Sequence, residues 1–164
     1  MENLLGLLKV KVLRGVNLAY RDATGSDPYV VIRMGHQKLK TSVKKHNVNP
    51  VWNEDLTLSV SEPIQPITIK VYDKDTFTPD DKMGDAEIDI QAFVEAVKMN
   101  LSDLPMAPSS PREAQQEDCL ADESPIAWKD GRVVQDVILR LRNVESGELE
   151  LQLLWTSIPG APGF

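Results

Sequence analysis

The sequence predicts an all-β fold: an eight-stranded antiparallel β-sandwich with one short helix and a loop-rich insertion. Three observations lead there. Segments that alternate apolar and polar residues recur at roughly 8–12-residue spacing, the pattern of a sandwich. Turn-forming residues, not helical repeats, separate them. A single stretch among the 164 residues switches to a helical period.

Leu7–Leu13 ends in strict alternation and reads as a half-buried strand. A polar stretch follows to Ser26, closed by Asp27-Pro28, because a residue before proline is pushed out of the helical region. Tyr29–Met34 is a β-branched run and reads as a buried strand. Gly35-His36 is a turn, and Lys38–Lys44 alternates with its lysines on one face. Asn47–Pro50 is turn chemistry. Glu54–Val60 and Ile67–Tyr72 are the next strands, and the second runs directly into an acidic loop, Asp73–Asp81. Ala86–Ile90 reads as a short strand. Ile90, Phe93, Val94 and Val97 then share one helical face, with Asp89 as N-cap. Residues 101–125 hold four of the 11 prolines, and 113–123 has five acids and no base, so this segment reads as an insertion of loops. Val133–Arg142 and Glu148–Trp155, joined by a turn at Glu145–Gly147, complete the set. Residues 1–164 are read as a single domain, with the helix and insertion at 91–131 inside it.

The charge is uneven. Residues 1–45 carry nine bases and three acids, a net of +6; residues 46–164 carry nine and 22, a net of −13. The overall acidity argues against nucleic acid as a partner, while the basic first quarter suits an anionic surface. No apolar run reaches the roughly 18 residues of a membrane span. The start of the chain lacks the pattern of a signal peptide. The single cysteine, Cys119, excludes an internal disulfide. A cytoplasmic protein is expected, and a mass of 18.3 kDa also permits the nucleus. There is no Gly-rich phosphate loop with Lys-Ser/Thr, so no NTPase activity of its own is expected, nor any enzymatic activity. Trp52, Trp128 and Trp155 read as core residues, and His36 and His46 as exposed turn residues.

The informative residues are carboxylates in two separate loops: Asp22 and Asp27 in the first, Asp73, Asp75, Asp80 and Asp81 in the second. So many carboxylates close together repel one another, and a cation would relieve them. Oxygen donors on loops suit Ca²⁺, which takes about six to eight oxygens; Mg²⁺ demands a stricter octahedron. Zn²⁺ would want Cys or His, and Cys119, His36 and His46 show no ligand spacing. An EF-hand is excluded, because Thr78 stands at position 6 and Gly84 at position 12 when Asp73 is counted as position 1.

Three motifs then resemble one family. Gly25-Ser26-Asp27-Pro28-Tyr29-Val30, Asn49-Pro50-Val51-Trp52-Asn53-Glu54 and Val71-Tyr72-Asp73-Lys74-Asp75 followed by Asp81-Lys82-Met83-Gly84 resemble, in order, segments of C2 domains. The resemblance covers residues 4–90 and 132–158. It implies a C2 β-sandwich of type II, the circularly permuted topology, in which the last strand at Gly147–Leu153 takes the place of a missing first one. It also implies two or three calcium ions, held by Asp22, Asp27, Asp73, Asp75 and Asp81 with the backbone carbonyls of Arg21 and Lys74. Asp80 sits beside a matching position.

A narrower resemblance is to the small single-C2 plant proteins of the abscisic-acid-related family. It rests on Lys38-Leu39-Lys40-Thr41, Cys119–Ser124 and Trp128-Lys129-Asp130-Gly131; Met106–Asp118 departs from it in being rich in Pro, Gln and acids. This resemblance implies calcium-dependent docking at the plasma membrane and abscisic acid receptors as partners. It further implies an activating effect on an Obg-like ATPase. In this reading calcium neutralises the loops, Phe77 inserts at the lipid interface with Tyr20 or Ala23 as lesser partners, and Lys38, Lys40, Lys44 and Lys45 meet the headgroups of an anionic phospholipid membrane. The competing readings are a GTPase-activating regulator, with Arg21 or Arg112 as an arginine finger, and a calcium-independent phosphoinositide- or protein-binding module.

Overall fold

The structure, a computed structural model, describes residues 4–19, 26–98, 126–129 and 132–157. Its strands are β1 (Leu4–Val16), β2 (Pro28–Met34), β3 (Gln37–Lys40), β4 (Val51–Ser61), β5 (Ile67–Asp73), β6 (Asp81–Ile88), β7 (Ile126–Lys129), β8 (Arg132–Arg140) and β9 (Glu148–Ser157). Among the described residues one helix, α1 (Gln91–Lys98), follows β6. The strands form a five-stranded sheet ordered β4-β1-β9-β8-β7 and a four-stranded sheet ordered β3-β2-β5-β6. All pairings are antiparallel. The C-terminal strand lies beside the N-terminal one, as the permuted topology requires.

Alternation places the core. Leu8, Val10 and Val12 of β1 and Leu149, Leu151 and Leu153 of β9 turn inward against Val30 and Ile32 of β2 and Ile67, Ile69 and Val71 of β5. Helix α1 adds its apolar face to this core. Asp89 Oδ1 accepts the Gln91 amide at 2.9 Å, which satisfies one of the free donors of the first turn. Phe93, Val94 and Val97 are buried, and the Phe93 ring meets Trp155 at 6.4 Å. Trp155 lies across β1 where Gly6 leaves room: a Cβ there would fall 2.3 Å from the indole.

Four expectations are revised. β7, paired to β8, is a ninth strand among the described residues, too short to stand out in the sequence. β6 begins at Asp81, not at Ala86, because it continues the ladder with β5 up to the pair Asp73↔Asp81. It ends at Ile88, and Ile90 belongs to the start of α1, accepting the Val94 amide at 3.0 Å. β3 ends at Lys40, since Thr41 turns its side chain inward and accepts the Val30 amide at 2.9 Å on its hydroxyl. Lys44 and Lys45 therefore lie beyond that strand. Trp52 and Trp155 are buried and His36 and His46 are exposed, as expected; the Trp128 side chain lies outside the described residues.

Candidate metal centre

The end of β1, the start of β2, the β3–β4 connection and the β5–β6 loop meet at one end of the sandwich. Pro28, the first residue of β2, pairs with Asp73, the last of β5, and Asp73 pairs in turn with Asp81, the first of β6. Directly opposed residues on antiparallel strands present side chains to the same face. Asp73 and Asp81 are therefore brought together by register alone. Asp75, two residues past the strand end, joins them: Asp73, Asp75 and Asp81 each offer a carboxylate oxygen, and these lie within 4.8 Å of one another. Asp73 is fully buried, Asp75 half-buried and Asp81 exposed, so the cluster opens to solvent on one side.

Asp27 is drawn to the same place by its backbone. Its amide donates to Asp73 Oδ1 at 2.8 Å, and its carbonyl accepts the Lys74 amide at 2.9 Å. Its own carboxylate accepts the His46 amide at 2.8 Å and is not one of the three convergent groups. Arg21 and Asp22 lie outside the described residues, as do Tyr20, Ala23, Arg112 and Cys119.

The neighbouring connection explains the Asn-Pro-x-Trp-Asn-Glu motif. Asn49 Oδ1 accepts the Asn17 amide at 2.7 Å, while the Val48 and Pro50 carbonyls accept the amides of Leu18 and Gly15. These contacts fix the point where the chain leaves β1 for the first acidic loop. At the other end of that loop, Ser26 donates from its hydroxyl to Ala19 O at 2.9 Å and accepts the Asn47 amide on its carbonyl. Trp52 is buried and donates from its indole to Ser42 O. Asn53 adopts a left-handed backbone, with φ at 49°, where the register of β4 against β1 shifts; asparagine tolerates that conformation better than most residues.

Asp80 has a different role from its neighbours. Its Oδ1 accepts the Asp75 amide at 2.9 Å, and Oδ2 accepts the Tyr29 hydroxyl. The Asp75 amide, then the Tyr29 hydroxyl, hold its carboxyl below the usual carboxylate range. Burial first, and the bond to Asp80 second, raise the Tyr29 phenol above its ordinary value. Sequence reasoning did not find Tyr29, because its partner lies 51 residues away.

The predicted lysines divide. Lys38 and Lys40 are exposed on β3, across from Arg33 and Val31 of β2; Lys44 is half-buried and Lys45 exposed in the following turn region. Phe77, in the β5–β6 loop, is 95% exposed. Among the described residues no helix is long and apolar enough to cross a membrane.

The donor set fits a hard cation: three carboxylate oxygens converge, with neither sulfur nor imidazole among them. A sandwich of this topology with acidic residues gathered where β5 gives way to β6 is a C2 domain, and the C2 domain family model matches residues 6–104. The chain is 57% identical over 161 residues to the protein C2-DOMAIN ABA-RELATED 5 of Arabidopsis thaliana, covering 98% of this chain and 80% of that one. It is 54% identical over 164 residues to GTPase activating protein 1 of Oryza sativa subsp. indica, covering 99% of each. Among solved structures, it resembles the calcium-bound tandem C2 domains of extended synaptotagmin 2, with a TM-score of 0.64 and 26% identity, over 93% of this chain and 46% of that one. The chain belongs to the C2-domain ABA-related family of C2 proteins.

Proposed function

We propose that this protein is a calcium-dependent phospholipid-binding adaptor that docks transiently at the plasma membrane and recruits signalling partners. The observation that carries this reading is the convergence of Asp73, Asp75 and Asp81 within 4.8 Å at the foot of a loop whose Phe77 is 95% exposed. Asp22 and Asp27, with the carbonyls of Arg21 and Lys74, complete the proposed ligand set for two or three Ca²⁺. Bound calcium supplies positive charge that offsets the five carboxylates and leaves coordination positions for lipid phosphate oxygens.

The chain's own residues do the rest. Phe77 presents an apolar ring to the interface. Lys38 and Lys40 on β3, with Lys44 and Lys45 beyond it, attract an anionic surface at about 1 kcal/mol per base close to it. The protein is cytoplasmic and peripheral in this account, with nuclear entry also open to it. Abscisic acid receptors are the proposed protein partners, supported by the relatives named C2-domain ABA-related.

Sedimentation with phosphatidylserine-containing vesicles tests the reading. Wild type should pellet with Ca²⁺ and stay in solution with chelator, and Asp73→Ala/Asp75→Ala should stay in solution in both. Equal pelleting with and without Ca²⁺ would transfer the function to the lysines.

The rice relative named GTPase activating protein 1 supports a second reading, a non-enzymatic activator of a partner such as an Obg-like ATPase. Arg21 and Arg112 are its candidate finger residues. Unchanged stimulation of GTP hydrolysis in Arg21→Ala and Arg112→Ala would remove that mechanism.

A further inference from the structure

The β5–β6 loop spans seven residues, 74–80, between the two opposed aspartates at its feet. It has to hold the Asp75 carboxylate beside two others of the same charge. Left to itself, such a loop relaxes by letting Asp75 move outward, since its neighbours repel it. Something must oppose that relaxation for the three oxygens to stay within 4.8 Å of one another.

Asp80 and Tyr29 provide it. Tyr29 lies on β2, paired directly with Tyr72 of β5, and the two rings stack at 5.7 Å and 26°. The Tyr29 hydroxyl is thus a fixed point belonging to the sheet and not to the loop. It donates to Asp80 Oδ2, and Asp80 Oδ1 accepts the Asp75 amide. The Lys74 ammonium, 4.0 Å from Oδ2, adds to the attraction. Each Asp80 oxygen is engaged by the protein, and Asp80 is not one of the three convergent carboxylates.

We propose that Tyr29, acting through Asp80, is a positioning residue of the metal centre: it ties the Asp75 backbone to the sheet and keeps the site assembled before a cation arrives. The proposal rests on the calcium reading above. A preassembled site binds more tightly, because the apparent dissociation constant is divided by the fraction of molecules already competent.

Tyr29→Phe is the test, since it keeps the ring and its stack, removes the hydroxyl and changes no formal charge. Two quantities are read: hydrogen exchange at the Asp75 amide in chelator, and calcium affinity by calorimetry. The expected result is faster exchange at Asp75 and a calcium dissociation constant raised roughly 3- to 10-fold, with the melting temperature in chelator lowered by no more than the loss of one part-buried hydrogen bond explains. A merely structural tyrosine would lower the melting temperature and leave affinity alone, which overturns the proposal. Tighter calcium binding in Tyr29→Phe also overturns it, because Asp80 would then be a ligand that Tyr29 holds back. Adding Tyr29→Phe to Asp80→Ala should weaken binding no further, and additive losses would contradict action through Asp80. Should wild type take up no calcium, the calcium reading falls, and the exchange measurement still decides the brace: faster exchange in Tyr29→Phe supports it and equal exchange overturns it.

Discussion

Asp81→Asn should make the metal-free protein more stable while it weakens calcium binding. Asp81 faces Asp73 directly across the β5–β6 ladder, and its carboxylate lies within 4.8 Å of those of Asp73 and Asp75. A pair of unit charges at that distance repels by about 0.9 kcal/mol in bulk water and about 3.5 kcal/mol at an effective dielectric of 20. Asp81 is exposed, so the water value is the better guide. Two such pairs, further screened by salt, come to about 1–2 kcal/mol. Asparagine has the same shape and removes the charge. For a chain of this length each kcal/mol moves the melting temperature by about 2–4 °C, so a rise of about 2–8 °C is expected in chelator. Calcium should raise the melting temperature of wild type, since a ligand of the native state stabilises it, and should do so much less for Asp81→Asn. Thermal unfolding followed by circular dichroism, with chelator and with Ca²⁺, gives both numbers. An Asp81→Asn protein that melts below wild type in chelator and keeps the full calcium-dependent rise would refute the reasoning.

Thr41→Val should cost about 1–3 kcal/mol in urea unfolding, because it leaves the buried Val30 amide without its acceptor while preserving shape; a loss below about 0.5 kcal/mol would contradict this. Phe93→Ala, which empties the side chain that seats α1 against Trp155, should cost about 3–5 kcal/mol in the same assay. Phe77→Ala should leave unfolding unchanged, since the ring is 95% exposed, yet reduce calcium-dependent pelleting with anionic vesicles. Equal pelleting by Phe77→Ala and wild type would remove the ring from the lipid contact.

What the sequence disclosed and what it concealed divide along the range of the interactions involved. Alternation in Ile67–Tyr72 and Glu148–Trp155 announced β5 and β9, because each inward residue meets the core on its own account. The helical spacing of Phe93, Val94 and Val97, with Asp89 before them, announced α1 for the same reason. The acidic run Asp73–Asp81 concealed the start of β6. Its charges look like loop, yet Asp81 and Lys82 remain on the ladder with Asp73 and Tyr72. The lysine alternation extended β3 too far, because the inward turn of Thr41 depends on the Val30 amide, and that bond is invisible locally.

Within the site, spacing brought Asp73 and Asp75 together as candidates, and the β5–β6 register explains why Asp81 joins them. The bonds that shape the surroundings span longer distances. Tyr29 reaches Asp80, and Asn49 reaches the Asn17 amide. Likewise Asp85 of β6 holds Arg142 and Asn143, just beyond β8, at 2.8 Å to each at closest. None of these pairs leaves a periodic trace in the chain.

The proposed calcium-dependent docking depends on Asp73, Asp75 and Asp81 holding calcium. The most direct test is a calorimetric Ca²⁺ titration of wild type beside Asp73→Ala/Asp75→Ala. Wild type should take up two or three ions saturably, and the double variant should lose that uptake. Wild type that takes up no Ca²⁺, or a double variant that takes up as much, would contradict the calcium reading.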